Sequence, residues 1–189
     1  SQKPTETKNG EINVVRQLID ILNVKGSIIT VDALHCQRET LEKIAEKKAH
    51  VVVQVKNNQP KLREAVVSQF QAVFDAQKEK VVTEIKQEHH GRKERRYVFQ
   101  LKAKLPEDLK EKWPTVRSII AVERHRVMDG RGTVDTSYYI SSLSSNNKLI
   151  GHYIRQHWRI ENSQHYVLDV VFKEDESRIA LDGAVENIA

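Results

Sequence analysis

Residues 26–55 read GSIITVDALHCQRETLEKIAEKKAHVVVQV, and this stretch decides the fold class. Its two ends, GSIITV (26–31) and HVVVQV (50–55), are short, β-branched and mostly apolar, as buried strands are. Between them, residues 38–48 carry apolar side chains at helical spacing. A strand, a helix and a second strand in this order predict two parallel strands joined by a right-handed crossover.

The rest of the chain consists of helices around this unit and a later run of strands. Helical periodicity predicts helices at residues 11–22 and 62–76. Strands separated by turns follow, which we place at residues 80–86, 95–101, 116–127 and 133–143, with a short helical or irregular link at residues 106–113. An amphipathic helix returns at residues 147–172. The sequence therefore predicts the α/β class: parallel strands with helices, interrupted by a mainly antiparallel β block at residues 80–146.

Length and composition suit one domain, or one domain with an inserted subdomain. The chain has 189 residues, and its 31 Lys and Arg against 26 Asp and Glu are compatible with nucleic acid. The single cysteine, Cys36, excludes an intrachain disulfide and argues against a cysteine-based zinc site. No third member of a catalytic triad accompanies Cys36 and His35, so we interpret the cysteine as structural. No apolar run reaches the ~20 residues of a membrane span and no signal peptide opens the chain, so we expect a cytoplasmic protein without a membrane partner.

Two carboxylates, those of Asp32 and Glu161, are candidates for a functional site. Asp32 ends the first buried strand, and ligands of parallel sheets collect beyond the carboxyl ends of the strands. Glu161 interrupts the apolar stripe of the last helix, in line with Trp158 and Leu168. If that helix packs beside the first strand, the two carboxylates can share Mg²⁺ or Mn²⁺, which prefer oxygen ligands. In the simpler alternative, Asp32 caps the next helix and Glu161 pairs with an arginine.

A ladder of four polar side chains lies along one side of the same helix: His157, Glu161, His165 and Asp169. Imidazoles and carboxylates of this kind bind zinc or another transition metal. A single straight helix cannot surround a tetrahedral ion with all four side chains, so at most two neighbours would ligate. A chain of hydrogen bonds is the commoner use of such a ladder.

A basic stretch, HHGRKERRYVF (89–99), stands out in the β block. Strand alternation divides its side chains between two faces: Lys93, Arg95 and Tyr97 on one, and Arg92, Glu94 and Arg96 on the other. Such a strand can lie along a phosphate backbone, or it can be a solvated edge strand that its charge protects from further pairing. Four further arginines add positive charge to the block, which favours DNA: Arg117, Arg124, Arg126 and Arg131.

Several stretches together resemble a known family. They are GSIITVDALHCQRE (26–39), VVVQVKNNQPKL (51–62), HHGRKERRYVF (89–99), WPTVRSIIAVER (113–124), SYYISSL (137–143) and HWRIENSQHYVLDVVFKEDESR (157–178). They occur in the same order as in the H-repeat-associated insertion-sequence transposases, which are DDE transposases with an RNase H-like catalytic core. The resemblance covers essentially the whole chain.

The resemblance implies a metal-dependent mechanism. In this family three acidic residues hold two divalent ions, Mg²⁺ or Mn²⁺, that activate a water or a DNA 3′-hydroxyl for attack on a phosphodiester. Asp32 matches the second acid and Glu161 the third. The β block looks like the insertion domain of related transposases, so the core would comprise residues 1–79 and 147–189.

The resemblance also implies the partners. They are the terminal inverted repeats of the element and a target DNA, and such enzymes often work as homodimers on paired ends. Lys56, Asn58 and Gln59 match a polar turn near the metal site that would contact DNA, as would Arg92, Lys93, Arg95 and Arg96 of the basic stretch. We expect His157, His165 and Asp169 to support the metal ligands through hydrogen bonds.

The chain departs from the family pattern in two ways. The first acid of the triad belongs to a strand upstream of the first residue here, so we expect a catalytic-domain fragment or a degenerate copy with weak metal binding and no strand transfer on its own. In the tyrosine-arginine-glutamate-lysine signature of the wider group, His157 stands in place of the arginine and Leu168 in place of the lysine.

Two other classes of function stay open at this point. A non-catalytic DNA-binding module would use the basic β block and would not need Asp32 or Glu161. A single-ion nuclease or a zinc protein would instead use the histidine ladder, with His157 or His165 as a ligand.

Overall fold

The fold is known from a computed structural model, which describes residues 8–89, 92–128 and 131–160. The helices are α1 (Lys8–Ile21), α2 (Arg38–Glu46), α3 (Pro60–Asp75), α4 (Glu107–Lys112) and α5 (Ile150–Ile160), with a 3₁₀ turn at Ala33–His35. The strands are β1 (Ile28–Val31), β2 (His50–Val55), β3 (Val81–His89), β4 (Arg92–Lys102), β5 (Ser118–Met128) and β6 (Arg131–Ser141). The predicted elements are confirmed with ends shifted by a few residues, and the part of the last predicted helix after residue 160 lies outside the described residues.

Six strands form one mixed sheet in the order β1-β2-β6-β5-β4-β3. β1 and β2 are parallel, with Ile28 opposite His50 and Val31 opposite Val53, and α2 forms the crossover between them. The other neighbouring strands are antiparallel. The mixed α/β class is therefore confirmed, and the antiparallel β block is continuous with the parallel pair because β6 pairs with β2.

β2 lies inside the sheet and is covered on both faces. Successive side chains of a strand point to opposite faces, so Val51, Val53 and Val55 join one hydrophobic core while Val52 joins another. A strand covered in this way has a continuous apolar sequence rather than an alternating one. This explains why the pattern of HVVVQV resembles that of a buried strand in a parallel sheet.

Helices α1, α2 and α3 cover the first face of the sheet. In α3 the inward side chains, Leu62, Val66 and Phe70, recur four residues apart, and each is at most 1% exposed. They share one core with residues of the sheet, with Leu109 of α4 and with Trp113 directly after α4. This core joins the strand-helix-strand unit to the link between β4 and β5.

Helix α5 covers the opposite face of the sheet. Ile150 and Ile154 are buried there against β2, β4, β5 and β6. A β-carbon added at Gly151 would lie 3.1 Å from Cβ and Cγ2 of Thr83 in β3, so glycine allows a close approach of helix and strand. Because α5 also contacts β1, it reaches both edge strands of the curled sheet.

A network of buried hydroxyl groups fixes the loop between β6 and α5. The Ser141 Oγ donates a hydrogen bond to the Val51 carbonyl oxygen (2.7 Å) and accepts one from the Leu143 N–H (3.0 Å). The Ser118 Oγ donates to the Leu143 carbonyl oxygen (2.8 Å) and accepts from the Gln100 Nε2 (3.0 Å). The backbone N–H and carbonyl of Leu143, just after the end of β6, are thus paired with serine hydroxyls. These hydrogen bonds fix the start of α5 relative to β2.

Replacing Ser141 with alanine should test this network. Ser141→Ala leaves the Leu143 N–H buried without its acceptor, and such a loss costs about 1–3 kcal/mol. We expect the free energy of unfolding to fall by about that amount, measured by urea denaturation. The exposed Ser68→Ala in α3 is the matched control and should change it by less than ~0.5 kcal/mol. Equal stabilities of the two variants would contradict a structural role for the network.

Candidate functional site

The parallel pairing of β1 and β2 brings two strand ends and the turns after them to one edge of the sheet. Asp32 follows β1 directly, and Lys56 follows β2. An open cleft of about 620 Å³ lies between them. Other side chains that line it include Gln37, Gln54, Asn57, Arg63, Ser137 and Tyr138. The cleft therefore combines one carboxylate with two cationic side chains and several amide and hydroxyl groups.

The Asp32 carboxylate has a structural contact and a free oxygen. Its Oδ1 accepts a hydrogen bond from the Leu34 N–H (3.1 Å) and so caps the 3₁₀ turn. The His35 Nε2 lies 4.0 Å from the same oxygen. Within the part of the chain that the structure describes, Oδ2 has no partner, and the side chain is 47% exposed. Asp32 thus caps this turn and not the helix predicted after it, α2, whose N-cap is Gln37. The capping contact leaves one oxygen of Asp32 able to bind a cation.

Two amide side chains hold the turn that carries Asp32; we call them the amide clamp. The Asn58 Nδ2 donates to the Ala33 carbonyl oxygen, and the Gln59 Nε2 donates to the Cys36 carbonyl oxygen (2.9 Å). Pro60 then starts α3 at the first helical position, where its missing N–H is tolerated. The clamp therefore ties the turn after β2 to the turn after β1.

The predicted DNA-contacting residues of the second turn have different surroundings. The amide groups of Asn58 and Gln59 are occupied in the clamp, although Asn58 is exposed. Lys56 is exposed on the cleft and makes no ion pair with a described residue. Their contact with DNA stays a prediction, and Lys56 has the side chain that is most available for it.

His35 connects helix α1 to the turn after Asp32, through a contact that the sequence did not indicate. Its side chain is 7% exposed, and its Nε2 lies 3.3 Å from the Glu11 Oε1 in α1. The two residues are far apart in the chain, so no local pattern in the sequence indicates their contact. This contact brings α1 against the 3₁₀ turn next to the candidate site.

Cys36 is buried and unsuited to nucleophilic chemistry. It is 0% exposed, and burial raises the pKa of its thiol to about 12, with a small opposing effect from Lys112. A thiol with so high a pKa is almost entirely protonated at neutral pH, whereas the thiolate is the reactive form. The structural interpretation of Cys36 is therefore confirmed.

The second predicted carboxylate, Glu161, lies outside the described residues, together with His165 and Asp169. His157 is on α5 and half-buried. Across residues 8–89, 92–128 and 131–160, no three His, Cys, Asp or Glu side chains are grouped so as to hold a metal ion. The contact between α5 and β1 matches the expected packing of the helix beside the strand. A shared metal site of Asp32 and Glu161 stays a prediction.

The basic strand β4 has one open face and one covered face. Arg95 is exposed and makes no ion pair with a described residue, whereas Lys93 lies 3.7 Å from Glu88. On the covered face, Arg96 pairs with the buried Glu94. The predicted alternation is confirmed for these residues, while the side chain of Arg92 lies outside the described ones.

Two of the four further arginines that we expected to favour DNA, Arg124 and Arg126, are engaged in an ion cluster beneath α5, whereas Arg117 and Arg131 are exposed. We call it the Asp135 cluster; its members are Glu94, Arg96, Arg124, Arg126 and Asp135. Arg124 donates from Nε to the Asp135 Oδ1 (3.0 Å) and from Nη2 to its Oδ2 (2.7 Å). These hydrogen bonds from Arg124 hold the pKa of the Asp135 carboxyl below its usual value, although burial opposes the shift. The partners come from different strands, so the cluster depends on a register that the sequence does not reveal.

In the part of the chain that the structure describes, no helix combines the length and the apolar character needed to cross a membrane.

Comparison with known proteins identifies the family. A family model described as "Transposase DDE domain" matches residues 1–188. The whole chain aligns at 36% identity with 49% of YncI of Escherichia coli O157:H7, which is provisionally named a transposase. At 31% identity, 98% of the chain aligns with 50% of the H repeat-associated protein YhhI of Escherichia coli (strain K12), also provisionally named a transposase. The chain spans about half the length of these curated relatives, and no solved structure matches it.

Opening of the amide clamp should be visible through the single cysteine. Gln59→Ala removes the hydrogen bond to the Cys36 carbonyl oxygen, a bond with a net value of about 1 kcal/mol, so the turn should open roughly fivefold more often. We expect the rate of Cys36 alkylation by iodoacetamide under native conditions to rise by that factor.

The exposed Gln71, which bonds Asp75 within α3, provides the matched control. Gln71→Ala should label as slowly as the wild type, and all variants should label fully in denaturant. Equal native labelling rates of Gln59→Ala and the wild type would show that the clamp does not hold the turn.

The pairing of Asp135 should make part of the stability depend on pH. Its pKa is lower in the folded state than the ordinary value of 3.8, so the pairing stabilises fully above that value and is lost as pH falls through the folded pKa. At pH 7 we expect the free energy of unfolding of the wild type to exceed that of Asp135→Asn by about 1 kcal/mol or less, since the pair is partly exposed. The difference in unfolding free energy should shrink below pH ~4. A difference that stays constant down to pH ~2 would contradict this assignment.

Proposed function

Because this chain belongs to the transposase DDE domain family, we propose that it supplies metal-binding carboxylates to an enzyme that cuts and joins DNA strands in the transposition of an insertion sequence. The observation that carries the proposal is the Asp32 carboxylate, which stands at the carboxyl end of a parallel strand, in an open cleft, with one oxygen that has no partner among the described residues. This is where parallel α/β sheets bind their ligands.

We further propose that β1, β2 and their helices form part of an RNase H-like core, and that residues 80–146 are an insertion in it. Strands β3 to β6 support this division, because they are antiparallel to one another and precede the return of the chain to β1 through α5. The core would then comprise residues 1–79 and 147–189. Its catalytic elements would lie on both sides of the insertion in the sequence.

The Asp32 carboxylate fits a divalent metal ion of the kind on which this family in general depends. Asp32 offers a carboxylate oxygen that has no partner among the described residues, a hard ligand suited to Mg²⁺ or Mn²⁺, and we propose Glu161 as the second ligand. Bound ions of this kind would polarise a phosphodiester and activate the attacking hydroxyl or water. The amide clamp would keep Asp32 in place, because both of its hydrogen bonds end on the turn that the carboxylate caps.

DNA would be held at the same cleft by its charge. Lys56 and Arg63 place two cationic groups on the walls of the cleft, and phosphate groups bind such side chains without regard to sequence. Burial raises the pKa of the Tyr138 hydroxyl at the cleft, with an opposing effect from Arg63, so this hydroxyl stays protonated and can donate to a phosphate oxygen. In the complete enzyme the bound DNA would be a terminal inverted repeat and a target, held by a homodimer.

Metal binding by the 189-residue chain tests the assignment directly. We expect Mn²⁺ to bind, and both Asp32→Asn and Glu161→Gln to weaken its affinity by about tenfold or more, as measured by electron paramagnetic resonance. Fe²⁺ with ascorbate should cut the backbone near residues 32 and 161. Asp108→Asn, an exposed carboxylate on α4, is the matched control and should bind Mn²⁺ like the wild type. Unchanged Mn²⁺ affinity in Asp32→Asn would refute the site.

A non-catalytic DNA-binding module is the second candidate, and the exposed Arg95 on the open face of β4 favours it. Binding of a duplex oligonucleotide, followed by fluorescence anisotropy, separates the two functions. A chain that binds DNA through Lys93 and Arg95 but does not bind Mn²⁺ would be such a module. A chain that binds both, and loses only Mn²⁺ in Asp32→Asn, fits the transposase.

A further inference from the structure

We propose that Arg124, held in place by Asp135, is a positioning residue: it fixes the indole of Trp158 and thereby sets the direction of the chain at the end of α5. The proposal rests on the function proposed above in one respect, since Glu161 follows Trp158 by three positions in the sequence. Neither Arg124 nor Asp135 would touch metal or DNA. Their effect would pass through the helix.

Arg124 is held by a partner directly across the sheet. It lies opposite Asp135 in the register of β5 and β6, so their side chains are neighbours on one face. Two nearly parallel hydrogen bonds of 3.0 and 2.7 Å join the guanidinium to the carboxylate. This paired geometry is specific to arginine, because the planar guanidinium matches both carboxylate oxygens at once. These two hydrogen bonds therefore fix the orientation of the guanidinium beneath α5.

The oriented guanidinium lies over the Trp158 ring. The Arg124 Cζ is 5.7 Å from the ring centroid, within the range of a cation–π interaction. Trp158 also packs against the hydrophobic cluster beneath α5, whose members include Val122 and Tyr139. One face of the indole thus has a fixed electrostatic partner near the last described turn of the helix, where helix ends otherwise fray.

The charges around this contact explain why Asp135 is needed. Three guanidinium groups, those of Arg96, Arg124 and Arg126, share the two carboxylates of Glu94 and Asp135. Arg126 already lies 3.4 Å from Glu94 and 3.6 Å from Asp135. Without the Asp135 charge, the three cations would have a single carboxylate among them, and their repulsion would move Arg124 away from Trp158.

The Arg124–Trp158 contact would matter for function because metal sites tolerate only small displacements of their ligands. Ligands must be held to within about 0.5 Å of their working geometry, and this requires rigid support from the residues around them. Asp32 has such support from the amide clamp on its side of the sheet. On the other side, the Arg124–Trp158 contact is the support that we assign to the chain leading to Glu161.

Tryptophan fluorescence tests the first half of the proposal without reference to metal. The chain has two tryptophans, and Trp113 is 2% exposed, so quenching by acrylamide reports mainly on Trp158. Asp135→Asn should increase the accessible fraction of the emission, and Trp158→Phe should remove the component that changes. Arg124→Lys keeps the charge but loses the paired hydrogen bonds, so its accessible fraction should lie between those of the wild type and Asp135→Asn. Asp108→Asn should quench like the wild type.

Mn²⁺ affinity tests the second half through a double-mutant cycle. Asp135→Asn should weaken Mn²⁺ binding roughly threefold to tenfold in the wild-type background, and by nothing further in a Glu161→Gln background. An equal loss in both backgrounds would overturn the positioning role, as would unchanged acrylamide quenching in Asp135→Asn. A Glu161→Gln chain that binds Mn²⁺ like the wild type would instead refute the proposed metal site, and the two failures are therefore distinguishable.

Discussion

The parallel pairing of β1 with β2 is the constraint on which the other features of this protein depend. Parallel strands need a crossover, and α2 supplies it on the face of the sheet that α1 and α3 also cover. The same pairing sends both strands toward one edge, so the turns that follow them meet. Asp32 and the amide clamp are neighbours for this reason, and the cleft opens between them.

Much of this arrangement could be predicted from short-range patterns. The β-branched runs and helical periodicities indicated each strand and helix, because burial on one or two faces imposes those periods on the sequence. The pairing of β6 with β2 could not be predicted in the same way. It depends on contacts such as those of Ser141 and Ser142 with Val51, whose sequence separation gives no local signal.

In the candidate site, too, features set by neighbouring residues could be predicted, whereas features that depend on distant contacts could not. The position of Asp32 at the end of β1 was predictable because a buried strand precedes it in the sequence, whereas its role as a metal ligand stays a prediction. The role of Asn58 and Gln59 in the clamp could not be predicted. An asparagine or glutamine that bonds a backbone carbonyl looks the same in the sequence as one that faces DNA. Likewise, strand alternation placed Arg96 on one face of β4, but only the register with β5 and β6 shows the carboxylates and arginines beside it.

The position of β2 in the sheet has a consequence for how the protein is made. One of its neighbours, β1, precedes it by a single helix, whereas the other, β6, is separated from it by the whole antiparallel block. During synthesis the valine-rich edge of β2 therefore stays unpaired until the ribosome has produced β6, and an open edge of this kind is a template for wrong pairing. Pairing between distant segments also folds slowly. The risk of aggregation is thus concentrated in one interval of translation, which ends when β6 closes the sheet.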